Sequence, residues 1–225
     1  MSRARGLGIA AVVVGLVGLS AVLGSVVYGR YAFGGSVVSG DSMAPTYGRG
    51  DQVVFERIDG GEVRRGDVVV FSAPDRYGFD QLVMERVIGV GGDRVACCTG
   101  DEQDARVALN GEPLREPYVQ GADAGGGYPD YDVRVPEGRL FLLGDHRADA
   151  RDSRAFLDDH GGSLPASAIR GRVLDDYTVP VALGVAMAVG VLLVLVAAGL
   201  GIAAMVVRRK ARAALPPPPP WAVQV

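Results

Sequence analysis

Two uncharged apolar runs frame this chain and constrain its fold more than any other feature. The first, LGIAAVVVGLVGLSAVLGSVV, covers residues 7–27; the second covers residues 179–207, with Pro180 near its start. A helix rises about 1.5 Å per residue, so a run of about 20 residues reaches roughly 30 Å, the thickness of a bilayer's hydrocarbon core. Both runs therefore predict transmembrane helices. No small-x-small cleavage site closes the first run, which reads as a retained anchor rather than a cleavable signal peptide.

The charges around these runs give an orientation. All 26 Asp and Glu residues lie between Asp41 and Asp176, and residues 30–178 set 17 arginines against them, a balance of −9. The remaining positive charges sit at the ends: Arg3 and Arg5, then Arg208, Arg209, Lys210 and Arg212. By the positive-inside rule both termini are cytoplasmic and the acidic middle lies outside. The expected organisation is a cytoplasmic segment 1–6, a membrane helix 7–27, an extracytoplasmic domain 30–178, a membrane helix 179–207 and a basic, Pro-rich cytoplasmic tail 208–225. Such a chain is a multi-pass protein of the cell membrane, with the lipid bilayer as its first partner. In the tail, PPPPPW (216–221) predicts a solvated polyproline II spacer. An acidic middle argues against nucleic acid as a partner, because displacing phosphate counterions needs a basic stripe.

Between the helices the apolar runs are short and valine-rich: DQVVFER (51–57), DVVVFSA (67–73), QLVMERVIGV (81–90), DRVACC (93–98), ARVALNG (105–111) and RLFLLGD (139–145). Gly, Asp or Pro bounds each, and none keeps a helical period, so the outer domain is expected to be mostly β, built on antiparallel sheet. Asn110-Gly111 signals a hairpin turn, and Gly91-Gly92-Asp93 fits a turn before a strand rather than a nucleotide loop. The stretch GADAGGGYPDYD (121–132) has no apolar pattern and reads as a mobile surface loop. Cys97 and Cys98 are adjacent, cannot close a loop within the chain, and are expected to be two small thiols. The sequence shows no metal-ligand cluster and no phosphate-cradling loop, so no metal and no cofactor is implied.

Four elements carry chemistry, in this order: SGDSMAPT (39–46), RRGDVVVF (64–71), ERVIGVGGDRV (85–95) and GDHRADARDSR (144–154). On a membrane-anchored β domain they resemble the type I signal peptidases, serine endopeptidases that remove signal peptides from secreted preproteins. The resemblance spans Ser39 to Arg172 plus the anchor. It implies a signal-peptidase-like fold flanked by an N-terminal and a C-terminal transmembrane helix, cleavage at Ala-x-Ala-like sites on the outer face, and signal peptides as partners, with the secretion machinery or an active paralogue beside them. By the same resemblance Ser42 is the nucleophile and its backbone N–H part of the oxyanion hole. Gly40 stands where the family has serine or glycine, Met43 packs beneath the site and Pro45 fixes the turn. Asp145, Arg147, Asp152 and Arg154 form the structural end of the last motif, with Asp152 and Arg154 paired.

One position departs from the pattern. The family motif reads Lys-Arg-Val-x-Gly-x-Pro-Gly-Asp, its lysine being the general base; here Glu85 holds that place, and the serine that orients the lysine is replaced by Ala150. The chain's single lysine, Lys210, lies beyond the second apolar run, and arginine stays protonated at any ordinary pH. Three readings follow. Glu85 acts as the base with its pKa raised by an apolar pocket, His146 being the alternative group. Or the domain keeps its cleft, binds preproteins by strand addition and assists an active peptidase. Or it is a membrane-anchored interaction module. His146 and His160 each also read as plain loop histidines.

Overall fold

The computed structural model describes residues 2–100 and 105–213, so the PPPPPW spacer lies outside the described residues. The chain divides into a unit built from the two long terminal helices and a second unit over residues 32–175.

The helical unit consists of α1 (Ser2–Ala32) and α3 (Thr178–Ala213), with the short α2 (Pro74–Tyr77) falling between them in the chain. Both helices extend beyond the uncharged runs that nucleate them. Their large apolar side chains, among them Leu16, Leu23, Leu195 and Ile202, point outward, an arrangement that water penalises and a bilayer accepts. The helices run antiparallel and meet through small residues. A Cβ on Gly18 would lie 2.7 Å from the Gly190 carbonyl, and one on Gly190 2.8 Å from the Gly18 carbonyl. Absent side chains let the two backbones touch, as van der Waals packing between membrane helices requires.

The outer unit begins with β1 (Phe33–Val37), β2 (Gln52–Glu56) and β3 (Val68–Phe71), followed by α2 and then β4 (Val83–Val90), β5 (Arg94–Thr99) and β6 (Arg106–Leu109). β7 (Glu112–Pro113), β8 (Tyr131–Arg134), β9 (Arg139–Leu143), β10 (Leu164–Pro165) and β11 (Ile169–Val173) complete it. All pairings are antiparallel. They form a seven-stranded sheet in the order β1-β2-β11-β3-β4-β9-β10 and a four-stranded sheet in the order β7-β6-β5-β8. The mostly β, antiparallel expectation holds.

Strand alternation sorts the core. In β3, Val69 and Phe71 join one apolar cluster with Val87, Leu140, Leu142 and Ile169. Val68 and Val70 face the other way, into a cluster with Met43, Val53 and Phe55. β9 does the same, sending Phe141 and Leu143 into the cluster that Val95, Val107 and Tyr131 of the smaller sheet complete. Strands buried on both faces read as unbroken apolar runs, which is why VVVF and LFLL stand out in the sequence. Asn110 and Gly111 both take positive φ (55° and 91°) in the β6–β7 turn, as a two-residue hairpin demands.

Two expectations need correction. Cys97 and Cys98 are joined to each other by a disulfide rather than standing as separate thiols. β5 loses regular register with β6 between Ala96 and Thr99. Both cysteines pack on the same cluster, where strict alternation would send one to each face. The 121–132 stretch is not a free surface loop. Ala124 is buried, Tyr131 and Asp132 belong to β8, and two buried arginines hold the carbonyls of Ala124 and Gly125. The apolar pattern is silent there because the attachments run through backbone carbonyls and through isolated side chains, Ala124, Tyr128 and Tyr131, rather than a periodic run.

Candidate active site

Ser42 lies in the turn that links β1 to β2. Ala44 N–H donates to the Asp41 carbonyl (3.0 Å) and Tyr47 N–H to the Met43 carbonyl (2.9 Å), curling the chain around the serine. Met43 is 1% exposed and sits among Val53, Phe55, Val68, Val70 and Val173, so an apolar anchor one residue away fixes Ser42 against the sheet. Pro45 and Gly40 are exposed, and a Cβ added at Gly40 would meet nothing within 4 Å.

The 144–154 loop clamps this turn from the other side. His146 N–H donates to the Ser42 carbonyl (2.9 Å), and the Thr46 hydroxyl donates to Asp145. Asp145, fully buried, also receives both arms of Arg86 at 2.8 and 2.6 Å. A side chain at Gly144 would run into the Ser42 carbonyl and the Ala150 methyl, so the approach requires glycine. Asp152 and Arg154 form a buried two-armed pair (2.8 and 2.6 Å), and Asp152 takes the Gly144 N–H at 3.1 Å as well. Arg154 donates onward to the Arg147 and Gly125 carbonyls. Arg147 donates to the Gly144 and Ala124 carbonyls and pairs with Glu116. The Ser42 turn, the loop and the 123–127 segment are thus one hydrogen-bonded block.

Glu85 stands on β4 opposite Val69 of β3, on the face it shares by alternation with Val83 and Val87. It is 2% exposed. Its carboxylate accepts from the Tyr77 hydroxyl at 3.3 Å. Burial, then the nearby Asp152 charge, push its pKa well above the ordinary carboxyl range, against the pull of the Tyr77 bond and of Arg154 and Arg76. A cleft of about 300 Å³ is lined by Gly40, Ser42, Val70, Tyr77, Met84 and Glu85 among others. Ser42 and Glu85 therefore line the same cleft.

The two histidines fall elsewhere. His146 does not line this cleft. It serves through its backbone amide, and its ring Nδ1 is buried without a hydrogen-bond partner among the described residues, rather than bonded to backbone as a loop histidine would be. His160 is exposed, its ring against Asp159 at 2.7 Å. Motif reading passes over Tyr77, which reaches the cleft from α2. Its only sequence signal is the Pro74…Gly78 punctuation of a short helical turn. Among the described residues no group of His, Cys, Asp and Glu could hold a metal ion.

A serine and a buried carboxyl line one cleft, braced by the Arg86–Asp145 and Arg154–Asp152 pairs. The family model described as signal peptidase, peptidase S26, matches residues 9–176. The chain belongs to the signal peptidase family. Within it, a signal peptidase I of Bacillus caldolyticus is 34% identical over 139 residues, covering 56% of this chain and 71% of that one. Signal peptidase I S of Bacillus subtilis is 30% identical over 138 residues, covering 57% and 70%. A crystal structure of a signal peptidase I from Enterococcus faecalis aligns with 26% identity and a TM-score of 0.37, over 50% of this chain and 97% of that one. In this signal peptidase family member the Ala150 methyl, 3% exposed, packs at Gly144 and offers no hydroxyl to the cleft.

Proposed function

We propose that this chain removes N-terminal signal peptides from secreted preproteins at Ala-x-Ala-like sites, as a serine endopeptidase with Ser42 as nucleophile and Glu85 as general base. Family membership supports the reaction class. The observation that carries the assignment of the base is that Glu85, buried and with its proton affinity raised by burial, lines the same cleft as Ser42. An ordinary glutamate, at about 4.3, is too weak a base for a serine hydroxyl, and desolvation removes that objection.

The preprotein end would lie extended in the cleft between segments 36–41 and 81–84, bonding backbone to backbone. Glu85 takes the Ser42 hydroxyl proton as Oγ adds to the scissile carbonyl. The Ser42 N–H stabilises the oxyanion. Glu85 then hands the proton to the departing amine. Water, deprotonated by Glu85, adds to the acyl carbon. Glu85 returns that proton to Ser42 Oγ as the C–Oγ bond breaks and the signal peptide leaves as its carboxylate. The antiparallel α1 and α3 support termini on one side of the bilayer, and the terminal positive charges support that side being the cytoplasm.

One observation favours a second reading: position 150 carries a methyl where the family has its orienting hydroxyl. In that reading the chain binds preproteins for an active peptidase. The deciding experiment presents the purified protein in detergent with a preprotein whose signal peptide ends in Ala-x-Ala. Cleavage by wild type, lost in both Ser42→Ala and Glu85→Gln, is the expected result. Cleavage only in a Glu85→Lys/Ala150→Ser double variant would transfer support to the binding role.

A further inference from the structure

The Tyr77 hydroxyl has two acceptors and one proton: the Arg151 carbonyl at 2.8 Å and Glu85 Oε1 at 3.3 Å. A protonated Glu85 resolves this, donating to the Tyr77 oxygen while Tyr77 donates to Arg151. Once Glu85 ionises, the Tyr77 proton turns from the carbonyl to the carboxylate. The ring cannot drift while this happens. Its centroid lies 6.0 Å from that of Phe71, 5.8 Å from Phe79 and 5.6 Å from Phe156. Its neighbour Arg76 ties α2 to Asp159 and to the Gly162 and Ser163 carbonyls. The phenol itself is held far above its ordinary range, by burial first and then by Glu85 and Asp152, so it stays protonated and always has a proton to offer.

We propose that Tyr77 is the positioning residue for Glu85, its hydroxyl supplying from α2 the orienting hydrogen bond that Ala150 cannot. The inference rests on the reading of Glu85 as the base. The side chain at 77 thus compensates for two changes at once, a carboxyl in place of an amine and a methyl in place of a hydroxyl. The charged groups facing Glu85 are Asp152 and Arg154 from the 144–154 loop and Arg76 from α2. None of these changes when the Tyr77 hydroxyl is removed.

The test is a titration of the Glu85 carboxyl, followed by ¹³C NMR on full-length protein in detergent and assigned through Glu85→Gln. Tyr77→Phe keeps the ring and loses the hydroxyl; the midpoint should move up by about one pH unit, because a bond to a carboxylate is stronger than one to the neutral acid. A fluorinated tyrosine at position 77, a stronger donor, should move it down. The acid limb of preprotein cleavage should follow both shifts. A midpoint that both replacements leave in place overturns the positioning role. Cleavage that survives Glu85→Gln removes the base reading instead, and leaves the titration to report on the hydrogen bond alone.

Discussion

Glu85 is both the proposed base and a buried titrating carboxyl. Folding raises its pKa above the unfolded value of about 4.3, so the native chain keeps a proton that the unfolded chain releases. Its contribution is therefore fully present below that value and is lost as pH rises through the folded pKa. Glu85→Gln keeps the shape without the titration, so the variant should gain melting temperature over wild type as pH goes from about 5 to about 8; a constant difference in thermal melts across that range would contradict the burial argument. Gly40 is a second residue with a clear expectation. Open space surrounds it and its φ is one that L-residues adopt, so Gly40→Ser should fold as wild type and, by adding an oxyanion donor, raise kcat with little change in KM. At this scale the sequence motifs single out Ser42 and Glu85, which line one cleft and are here proposed as nucleophile and base. They pass over Tyr77, because its relation to Glu85 exists only once α2 folds back over β4.

At the scale of elements, apolar runs announce β2 to β6 and β9, whereas β8, β10 and β11 also bury Tyr131, Leu164, Ile169 and Val173 in the clusters without such a run. β1 (FGGSV) and β11 (IRGRV) carry glycine and arginine, and β7 and β10 are two residues each. Partner strands recruit them, which no local pattern records. The 144–154 loop is the opposite case: a charged, irregular segment more firmly held than many strands. Removing the carboxylate in Asp152→Ala strands Arg154 in the interior and frees the Gly144 N–H, so a loss of about 3–5 kcal/mol in denaturant titrations is expected. Asp132→Ala, which breaks the exposed pair with Arg94, should lose nothing measurable. Equal losses from the two would refute the burial-based ranking.

For the whole molecule, the charge map and the two helices describe a domain tethered at both ends of its chain. Gly15 and Ala197 face each other closely enough that a Cβ on Gly15 would lie 3.3 Å from that of Ala197. A Gly15→Cys/Ala197→Cys chain should form the disulfide in membranes. Adding Gly18→Leu, which intrudes on the Gly190 carbonyl, should lower the crosslinked fraction severalfold; efficient crosslinking in that background would contradict the glycine contact. Whether a buried carboxyl replaces the lysine as base is read from the pH dependence of kcat/KM for preprotein cleavage by the full chain. An acid limb of unit slope is expected, with a midpoint above the ordinary glutamate value of about 4.3, disappearing with Glu85→Gln as activity is lost. A rate that is flat from about pH 5 to about pH 8, or that keeps its profile in Glu85→Gln, would contradict Glu85 as the base.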